Sequence, residues 1–539
     1  MARTPLLRAL RKLAAEHSEA AVAGLDLGQV RERRAAALLG RRTFLRSAGA
    51  ATAAAALSRP RWARATSNKP RIAILGAGIS GLAAALQLQD SGFASTVYEA
   101  SGRVGGRMHS NTSSWLNNQK SEWCGELIDS GHATLLGLIK RFGLTAVDEV
   151  AAEPANSTDT LYFKNAYYSQ SQSDRDFVLV NNTLQAQIAA APTTTYNSYN
   201  SLGYELDNTS VYAWIEKYVP NGHKSSLGRY LDSAYNQEYG LDTKLQSSLN
   251  LIYELGFQPT QGPGWNIYGV SDQRYSILGG NERLPLAIAA ALPSGSIVTH
   301  CALTKIAMAS GDAYKLTFAT EQGVKTVVAD EVILTIPFSV LRSLDFSEAG
   351  FTPLKHDAIH HLGYGTNSKL VLQFSEKYWD TKGPWGLGDG NIYTDLFFQN
   401  TWDSSRGIPG VSGVLTGYMG GGNGASFTAT SSPYASAATD PAVVEYAKTF
   451  LRELEVVWPG VSKSWNGRAT LSTPWRDPHL LGSYSCWKVG QYTTFGGYEG
   501  VRQANCHFAG EHCSLNYQGF MEGAAQEGIR AANEIVADY

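Results

Sequence analysis

The sequence predicts an α/β fold in which a parallel-sheet domain is interleaved with a second part made of mixed sheet and helices. Three observations predict it: a strand–glycine turn–helix–strand unit at residues 71–99, a closing strand and helix at residues 505–536, and polar, aromatic-rich stretches between them. At 539 residues the chain is also too long for one hydrophobic core, which favours two domains.

The first unit is an apolar strand at residues 71–75 that runs into the turn GAGISG. Gly76 lets the chain turn sharply, Gly78 leaves room for a pyrophosphate at the backbone, and Gly81 lets the helix pack closely on the strand. The N-terminus of the following helix attracts phosphate charge. Glu99 ends the second strand and is placed to accept hydrogen bonds from an adenosine ribose. The unit predicts a Rossmann-like dinucleotide site.

A second glycine-rich loop, GRVGGR at residues 102–107, follows directly. Arg103 and Arg107 suit a diphosphate, and Gly105 and Gly106 let the backbone approach a large flat ligand. With this loop the chain resembles the FAD-dependent amine oxidase family, which includes monoamine oxidases, polyamine oxidases and L-amino acid oxidases. The resemblance implies FAD as cofactor and Ala302 as a further cofactor-binding residue.

The closing segment carries the second part of the resemblance. Residues 506–514, CHFAGEHCS, are typical of a strand that breaks into a loop, and residues 519–525, GFMEGAA, open a helix. The resemblance implies that Glu511 reaches the ribityl or diphosphate region and that the backbone of Met521 faces the flavin pyrimidine oxygen. A helix N-terminus there would stabilise the negative charge of a reduced flavin.

Several aromatic residues and one lysine are the candidates for catalysis. By resemblance, Lys369 holds a water against flavin N5, Trp475 lies against the flavin, and Tyr484 and Phe520 form the aromatic pair that flanks the amine. Trp487 is a further candidate. Position 483, where monoamine oxidases carry the flavin-linked cysteine, is serine here. The resemblance therefore implies noncovalent FAD.

Two features of the sequence point to different classes of substrate. Many L-amino acid oxidases bind the substrate carboxylate with an arginine where this chain has Leu127, whereas Asp129 falls near the active-site acid of plant polyamine oxidases. Alternatively, Asp129 caps the N-terminus of the following helix. Residues 124–130 and 483–491 resemble an exported bacterial branch with L-amino acid oxidases. This function is favoured; a polyamine or monoamine oxidase is the alternative, and a noncatalytic or electron-transfer flavoprotein is the hypothesis from another class.

The family resemblance also implies the reaction. A substrate amine loses a hydride equivalent from its α-carbon to the flavin and becomes an imine, which water hydrolyses to a carbonyl compound and ammonia. Dioxygen takes up the electrons and gives hydrogen peroxide. The expected partners are thus a small-molecule amine or amino acid and dioxygen.

The N-terminal segment, residues 1–65, resembles a twin-arginine export signal. Residues 40–46, GRRTFLR, precede an alanine-rich stretch, and residues 63–65, ARA, resemble a cleavage site. The segment predicts use of the twin-arginine export machinery and a periplasmic or secreted protein. A basic helical tail is the alternative.

Charge and composition exclude several other functions. Residues 1–65 hold 13 of the 45 basic and 4 of the 47 acidic residues, so the remainder has 32 and 43 and a net charge of −11. An acidic body argues against nucleic acid and anionic membranes. We expect no stable membrane anchor, since no apolar run reaches the length of a span. The five cysteines show no metal spacing, so no metal site is predicted. The number of subunits stays open, with a homodimer as one alternative.

The predicted domains alternate along the chain. The FAD-binding domain takes residues 70–129, 276–345 and 476–539, and the substrate domain takes residues 130–275 and 346–475. Within them we expect helices at residues 133–142 and 244–255, one apolar strand at residues 327–336, and a surface loop at residues 417–440.

Overall fold

The computed structural model describes residues 69–191, 193–255 and 272–539. The helices are α1 Ile79–Asp90, α2 Ala133–Arg141, α3 Gln170–Ala190, α4 Ser201–Asp207, α5 Val211–Tyr218, α6 Ser226–Tyr239, α7 Ser248–Leu255, α8 Arg283–Ala291, α9 Phe338–Leu341, α10 Pro353–His361, α11 Gly421–Ala425, α12 Pro441–Val457, α13 Gln491–Phe495 and α14 Met521–Asp538.

The strands are β1 Ile72–Leu75, β2 Ser95–Tyr98, β3 Ser110–Asn111, β4 Ser121–Glu122, β5 Ala146–Asp148, β6 Thr160–Phe163, β7 Ala166–Tyr167, β8 Tyr275–Ile277, β9 Ile297–Val298, β10 Cys301–Met308, β11 Tyr314–Thr320, β12 Gly323–Ala329, β13 Glu331–Leu334, β14 Asp345–Glu348, β15 Gly363–Tyr364, β16 Ser368–Phe374, β17 Lys382–Gly383, β18 Gly386–Leu387, β19 Ile392–Thr394, β20 Asn400–Asp403, β21 Gly413–Met419, β22 Tyr434–Ser436, β23 Trp465–Ser472, β24 Ser485–Cys486 and β25 Cys506–Phe508.

A parallel sheet forms the centre of the first part, with the strand order β25-β13-β1-β2-β9. Its strands are almost entirely apolar because both faces are buried. Ile72 and Ile74 pack against α1, α2 and α14 on one face. Ala73 and Leu75 pack on the other face against the core beneath β10, β11 and α9. The sheet is therefore covered on both sides, as parallel sheets require.

The second part is built on a mixed sheet with the order β22-β23-β16-β21-β20-β19-β6-β7. Helix α12 covers one region of this sheet through an apolar stripe that includes Val443, Phe450 and Leu454. A separate core forms between helices α3 to α7 and residues of β6 and β19. The two sheets each collect strands from distant parts of the chain.

The predicted fold class is confirmed, but three local predictions are wrong. The single strand expected at residues 327–336 is instead two strands, β12 and β13, which are separated at Asp330. The Asp330 carboxylate accepts hydrogen bonds from the backbone N–H and the guanidinium of Arg71. The helix expected at residues 244–255 begins at Ser248. The surface loop expected at residues 417–440 instead contains the buried end of β21, α11 and β22. Glycine and serine content was a poor predictor of a loop in this stretch, because small side chains also suit a closely packed sheet. The domain boundaries stay a prediction.

The export signal predicted at residues 1–65 lies outside the described residues. In the ranges that the structure does describe, no helix is both long and apolar enough to cross a bilayer. The same ranges contain no group of three or more histidine, cysteine or acidic side chains arranged to hold a metal ion.

Candidate active site

A cavity of about 740 Å³ lies at the carboxyl ends of the parallel strands β1, β2, β13 and β25. This is where ligands bind in open α/β sheets, and the volume is within the roughly 300–1,000 Å³ of ligand pockets. Residues of β16, β20 and β21 from the mixed sheet contribute another part of the wall. The cavity thus lies between the two sheets, and both parts of the chain are needed to form it.

The glycine turn borders one end of this cavity. Gly76 has a φ of +111°, which favours glycine. A Cβ atom on Gly78 would have no neighbour within 4 Å, so the backbone there faces open space. A Cβ atom on Gly81 would lie 2.0 Å from the carbonyl oxygen of Gly76. Gly78 lines the cavity, whereas Gly81 does not and instead allows α1 to pack against the turn.

Glu99 connects the glycine turn to the second glycine-rich loop. One carboxylate oxygen accepts from the backbone N–H of Ala77 at 2.8 Å, and the other accepts from the N–H of Ser101 at 2.9 Å. Glu99 also lines the cavity, together with Arg103, Gly105, Gly106 and Ala302. Arg103 donates to the carbonyl oxygen of Gly106 at 2.7 Å. The predicted cofactor residues of both loops are therefore brought together.

The partly buried Arg107 and the buried Glu511 form an ion pair at 2.9 Å that joins the second loop to the loop after β25. The other Glu511 oxygen accepts from the Ser485 hydroxyl and from the backbone N–H of Gly519, each at 2.7 Å. Burial alone would raise the pKa of Glu511, but the charge of Arg107 and these donors hold it at about 2. Glu511 is therefore ionised and orders three segments around the cavity.

Two helix N-termini meet the cavity. Gly78 is the N-cap of α1 and Phe520 is the N-cap of α14, and no side chain of the described residues caps either helix. Gly78, Ile79, Phe520 and Met521 all line the cavity. Uncapped N–H groups and the helix dipole favour a negatively charged ligand. Together with the open space at Gly78 and the nearby arginines, they fit a phosphate-bearing dinucleotide cofactor.

Another part of the cavity, here called the aromatic end, is lined by Trp402, Tyr418 and Tyr484. The hydroxyls of Tyr418 and Tyr484 are 3.0 Å apart, and that of Tyr484 donates to the carbonyl oxygen of Glu238 at 2.7 Å. The rings of Trp402 and Tyr418 meet edge to face, with centroids 5.3 Å apart. The predicted Tyr484 is thus joined by two aromatic residues that the sequence did not reveal, whereas Phe520 lines the cavity at the N-terminus of α14.

Lys369 lies beside the aromatic end and is tightly held. Its ammonium donates to Glu126 Oε2 and to the carbonyl oxygen of Cys124, both at 2.7 Å, and is 5.4 Å from the ring centroid of Trp402. Burial would raise the pKa of Glu126, but the charges of Lys369 and Lys120 outweigh burial and lower it. The cavity wall therefore carries an ionised pair, Glu126–Lys369, of which only the lysine was predicted.

Three other predicted residues do not line the cavity. Asp129 is fully buried and accepts from the backbone N–H of Gln273 at 2.8 Å; it does not cap α2, whose N-cap is His132. Trp475 donates its indole N–H to the Ser368 hydroxyl at 3.0 Å. Trp487 packs against Tyr492 in a hydrophobic core, with ring centroids 4.8 Å apart. Local side-chain direction, which a motif does not specify, separates these residues from the cavity.

Sequence reasoning missed Glu126, Gln273, Trp402 and Tyr418, all of which line the cavity. Glu126 stands next to Leu127, in the segment where related L-amino acid oxidases carry a carboxylate-binding arginine. Its contact with Lys369 bridges 243 residues of sequence, so only the fold brings the two together. The two aromatic residues come from separate strands of the mixed sheet. No short motif marks them, because only the strand register brings them together.

Comparisons with known proteins agree with this geometry. The family model described as flavin containing amine oxidoreductase matches residues 79–536. The chain is 26% identical to an L-amino-acid oxidase of Mus musculus over 88% of this chain and 72% of the relative. It is 25% identical to an L-amino-acid oxidase of Siganus canaliculatus over 87% of this chain and 85% of the relative.

Solved structures show the same fold. Cyclohexylamine oxidase from Brevibacterium oxydans superposes with a TM-score of 0.72 at 19% identity, covering 87% of this chain and 99% of that one. Putrescine oxidase bound to putrescine superposes with a TM-score of 0.70 at 16% identity and the same coverage. The match of the family model over most of the chain decides the assignment: the protein belongs to the flavin-containing amine oxidoreductase family.

Proposed function

We propose that the protein binds FAD noncovalently and oxidises an L-amino acid with dioxygen, giving an imine and hydrogen peroxide. One observation carries the proposal: a single cavity joins two uncapped helix N-termini, at Gly78 and Phe520, to the aromatic end with Tyr484 and the neighbouring Lys369. When bound, the flavin supplies the hydride acceptor; the chain orients the amine and keeps water away. The L-amino-acid oxidases among its relatives support the choice of substrate.

Residues on both sides of the cavity would hold the cofactor. The backbone at Gly78 and the guanidinium of Arg103 would bind the diphosphate, and the N-terminus of α14 at Met521 would bind the flavin ring system. Ser483 offers a hydroxyl and no thiol, and it donates to Asn367 Oδ1 at 2.7 Å. Acid precipitation should therefore release intact FAD into the supernatant. Flavin that stays with the precipitate would contradict noncovalent binding.

An amine without an α-carboxylate is the second candidate substrate, and a specific observation favours it. The basic residues in the described lining of the cavity are Arg103, Arg107, Lys369 and His479. Arg107 is paired with Glu511 and Lys369 with Glu126, while His479 is exposed. Residues 256–271 contain no basic residue. Arg103 donates to the carbonyl oxygen of Gly106 and is assigned here to the cofactor diphosphate. The described wall therefore has no further arginine for a substrate carboxylate.

Matched substrate pairs test both candidates in one experiment. We expect peroxide from L-leucine and L-phenylalanine and much less from 3-methylbutylamine and 2-phenylethylamine, which lack only the carboxylate. D-Leucine serves as the control for stereochemistry. The reverse preference would replace the first candidate with the second, and absence of peroxide from all pairs and from a wider amine panel would reject amine oxidation.

We also propose export by the twin-arginine route, on the basis of residues 40–46. This route carries folded proteins, which suits a chain that acquires its cofactor in the cytoplasm. Arg41→Lys with Arg42→Lys should keep the protein in the cytoplasm, since the receptor reads both guanidinium groups. Fractionation with antibody detection measures this, and unchanged export of the double variant would exclude the proposal.

A further inference from the structure

Lys369 is the basic residue placed to meet an anionic substrate group at the aromatic end. Its ammonium is near Trp402, whereas Arg103 donates to the backbone of its own loop and Arg107 is held by Glu511. An α-carboxylate that enters beside the ring of Trp402 would therefore meet the ammonium of Lys369. Moving a carboxylate out of water is energetically costly unless a positive charge pairs with it.

Every donor of Lys369 already has an acceptor. An ammonium group has three N–H donors. They meet Glu126 Oε2 at 2.7 Å, the carbonyl oxygen of Cys124 at 2.7 Å and that of Glu122 at 3.4 Å. The two carbonyl groups carry no net charge, so Glu126 is the acceptor that neutralises the lysine. A substrate carboxylate must compete with Glu126 for this ammonium and is also repelled by it.

We propose that Glu126 is the specificity-determining residue of the cavity, because it sets how strongly Lys369 can bind a substrate carboxylate. The ionised Glu126 lowers the affinity for an α-carboxylate and so limits the preference for amino acids, while neutral amines are unaffected. The inference rests on the proposed amine-oxidising function and extends it to the choice between amino acids and simple amines. Specificity is a difference of two affinities, and a like charge placed against one substrate produces such a difference.

Glu126→Gln tests the inference because it removes the charge and keeps the shape. We expect kcat/KM for L-leucine, divided by that for 3-methylbutylamine, to rise about tenfold or more in this variant. We also expect tighter binding of 4-methylpentanoate, a leucine analogue without the amine, again by about tenfold, with no change for 4-methylpentanamide. Changes in the flavin absorbance during titration give the dissociation constants without turnover.

Glu149→Gln is the matched control. Glu149 is a buried acid near Lys120, as Glu126 is, but it does not line the cavity or bond to Lys369. Burial raises the pKa of Glu149 to about 7, so the comparison is made at pH 8, where both acids are ionised. Its substitution should leave both the substrate ratio and carboxylate binding at the wild-type values. If Glu126→Gln does not fold, Lys369→Met supplies the test, because loss of the ammonium should weaken 4-methylpentanoate binding and not that of the amide.

The outcomes separate the inference from the proposed function. An unchanged ratio and unchanged carboxylate affinity in folded Glu126→Gln would overturn the role of Glu126, even in an active oxidase. Equal changes in Glu149→Gln would also overturn it, because they would show a general electrostatic effect. In a further outcome, the wild-type protein releases no peroxide while the Glu126→Gln variant binds 4-methylpentanoate more tightly than wild type does. That result would reject the proposed function and retain the carboxylate competition.

Discussion

Adding a side chain would affect ligand binding at Gly78 but protein packing at Gly81, which lies three residues later in the same turn. At Gly78 the backbone is extended, with φ −70° and ψ 176°, and a Cβ atom would point into open space. At Gly81 the same atom would lie 2.0 Å from the carbonyl oxygen of Gly76. The first glycine is therefore required by the ligand, and the second by the packing of the protein.

Gly78→Val should fold normally and fail to bind FAD, because the branched side chain fills the space that the cofactor needs. Gly81→Val should lose stability itself, by more than the roughly 1–3 kcal/mol of ordinary overpacking, since backbone opposes it. Flavin absorbance and urea unfolding of the two apoproteins distinguish the cases. A flavin-loaded Gly78→Val protein would show that the diphosphate lies elsewhere.

Asp129 illustrates how a predicted active-site acid can be structural. Asp129→Ala removes the acceptor for the backbone N–H of Gln273 and should lower the free energy of unfolding by about 1–3 kcal/mol. Asp129→Asn keeps an acceptor oxygen and should cost less. Urea unfolding measures both variants. If Asp129→Ala kept full stability but raised KM for dicationic amines alone, the carboxylate would have to reach the substrate after all.

At the scale of elements, the buried side chain of His507 ties strand β25 to strand β13 and helix α14. Its Nε2 is 3.1 Å from a Glu331 oxygen and its Nδ1 is 2.7 Å from a Glu534 oxygen. Arg502, Arg530 and Tyr539 also face this group of charges. Burial would lower the pKa of His507, but its two carboxylate partners raise it above the ordinary 6.5.

The stability that His507 contributes should therefore depend on pH. A histidine with a raised pKa stabilises the fold fully below its unfolded pKa, near 6.5, and this contribution is lost as the pH rises through the folded value. The pKa of Glu534 is lowered, so its contribution is lost as the pH falls below about 4.5. The Tm difference between wild type and His507→Asn should be largest between these limits and should shrink as the pH rises above 6.5. A difference independent of pH would mean that His507 is neutral.

The sequence predicted those parts of the site that are formed by residues next to one another in the chain. The turn at Gly76 to Gly81 and the N-terminus of α14 follow from local backbone requirements, which residue types express directly. Trp402, Tyr418 and Glu126 could not be placed in this way. Their positions depend on strand register and on the contact between two sheets. Asp129 and Trp475 were predicted by resemblance, and the direction of each side chain separates them from the cavity.

At the scale of the whole molecule, the cavity joins segments from both ends of the described chain. Gly78 comes from its beginning, Met521 from its end, and Lys369 from the mixed sheet. A ligand in this cavity contacts all three and is bound only when they are assembled. Cofactor binding and global unfolding should therefore be coupled.

FAD added to the apoprotein should raise its stability by about 2.7 kcal/mol at a free concentration one hundred times Kd. Thermal unfolding at a series of FAD concentrations measures the effect, and AMP or riboflavin alone, each filling one end, should stabilise less. A Tm that does not change with FAD would mean that the folded chain does not bind FAD in preference to the unfolded chain.

The distance along the chain between Gly78 and Met521 also fixes an order of events during biosynthesis. A ribosome that has just made Gly78 still has 443 residues to add to complete Met521, which takes roughly 20–90 s at about 5–20 residues per second. Until residues 331–334 are made, β1 lacks its neighbour β13, and until the end of the interval the N-terminus of α14 is missing from the cavity wall. The chain can capture its flavin only after this interval, so the nascent protein must be kept from misfolding without any help from the cofactor.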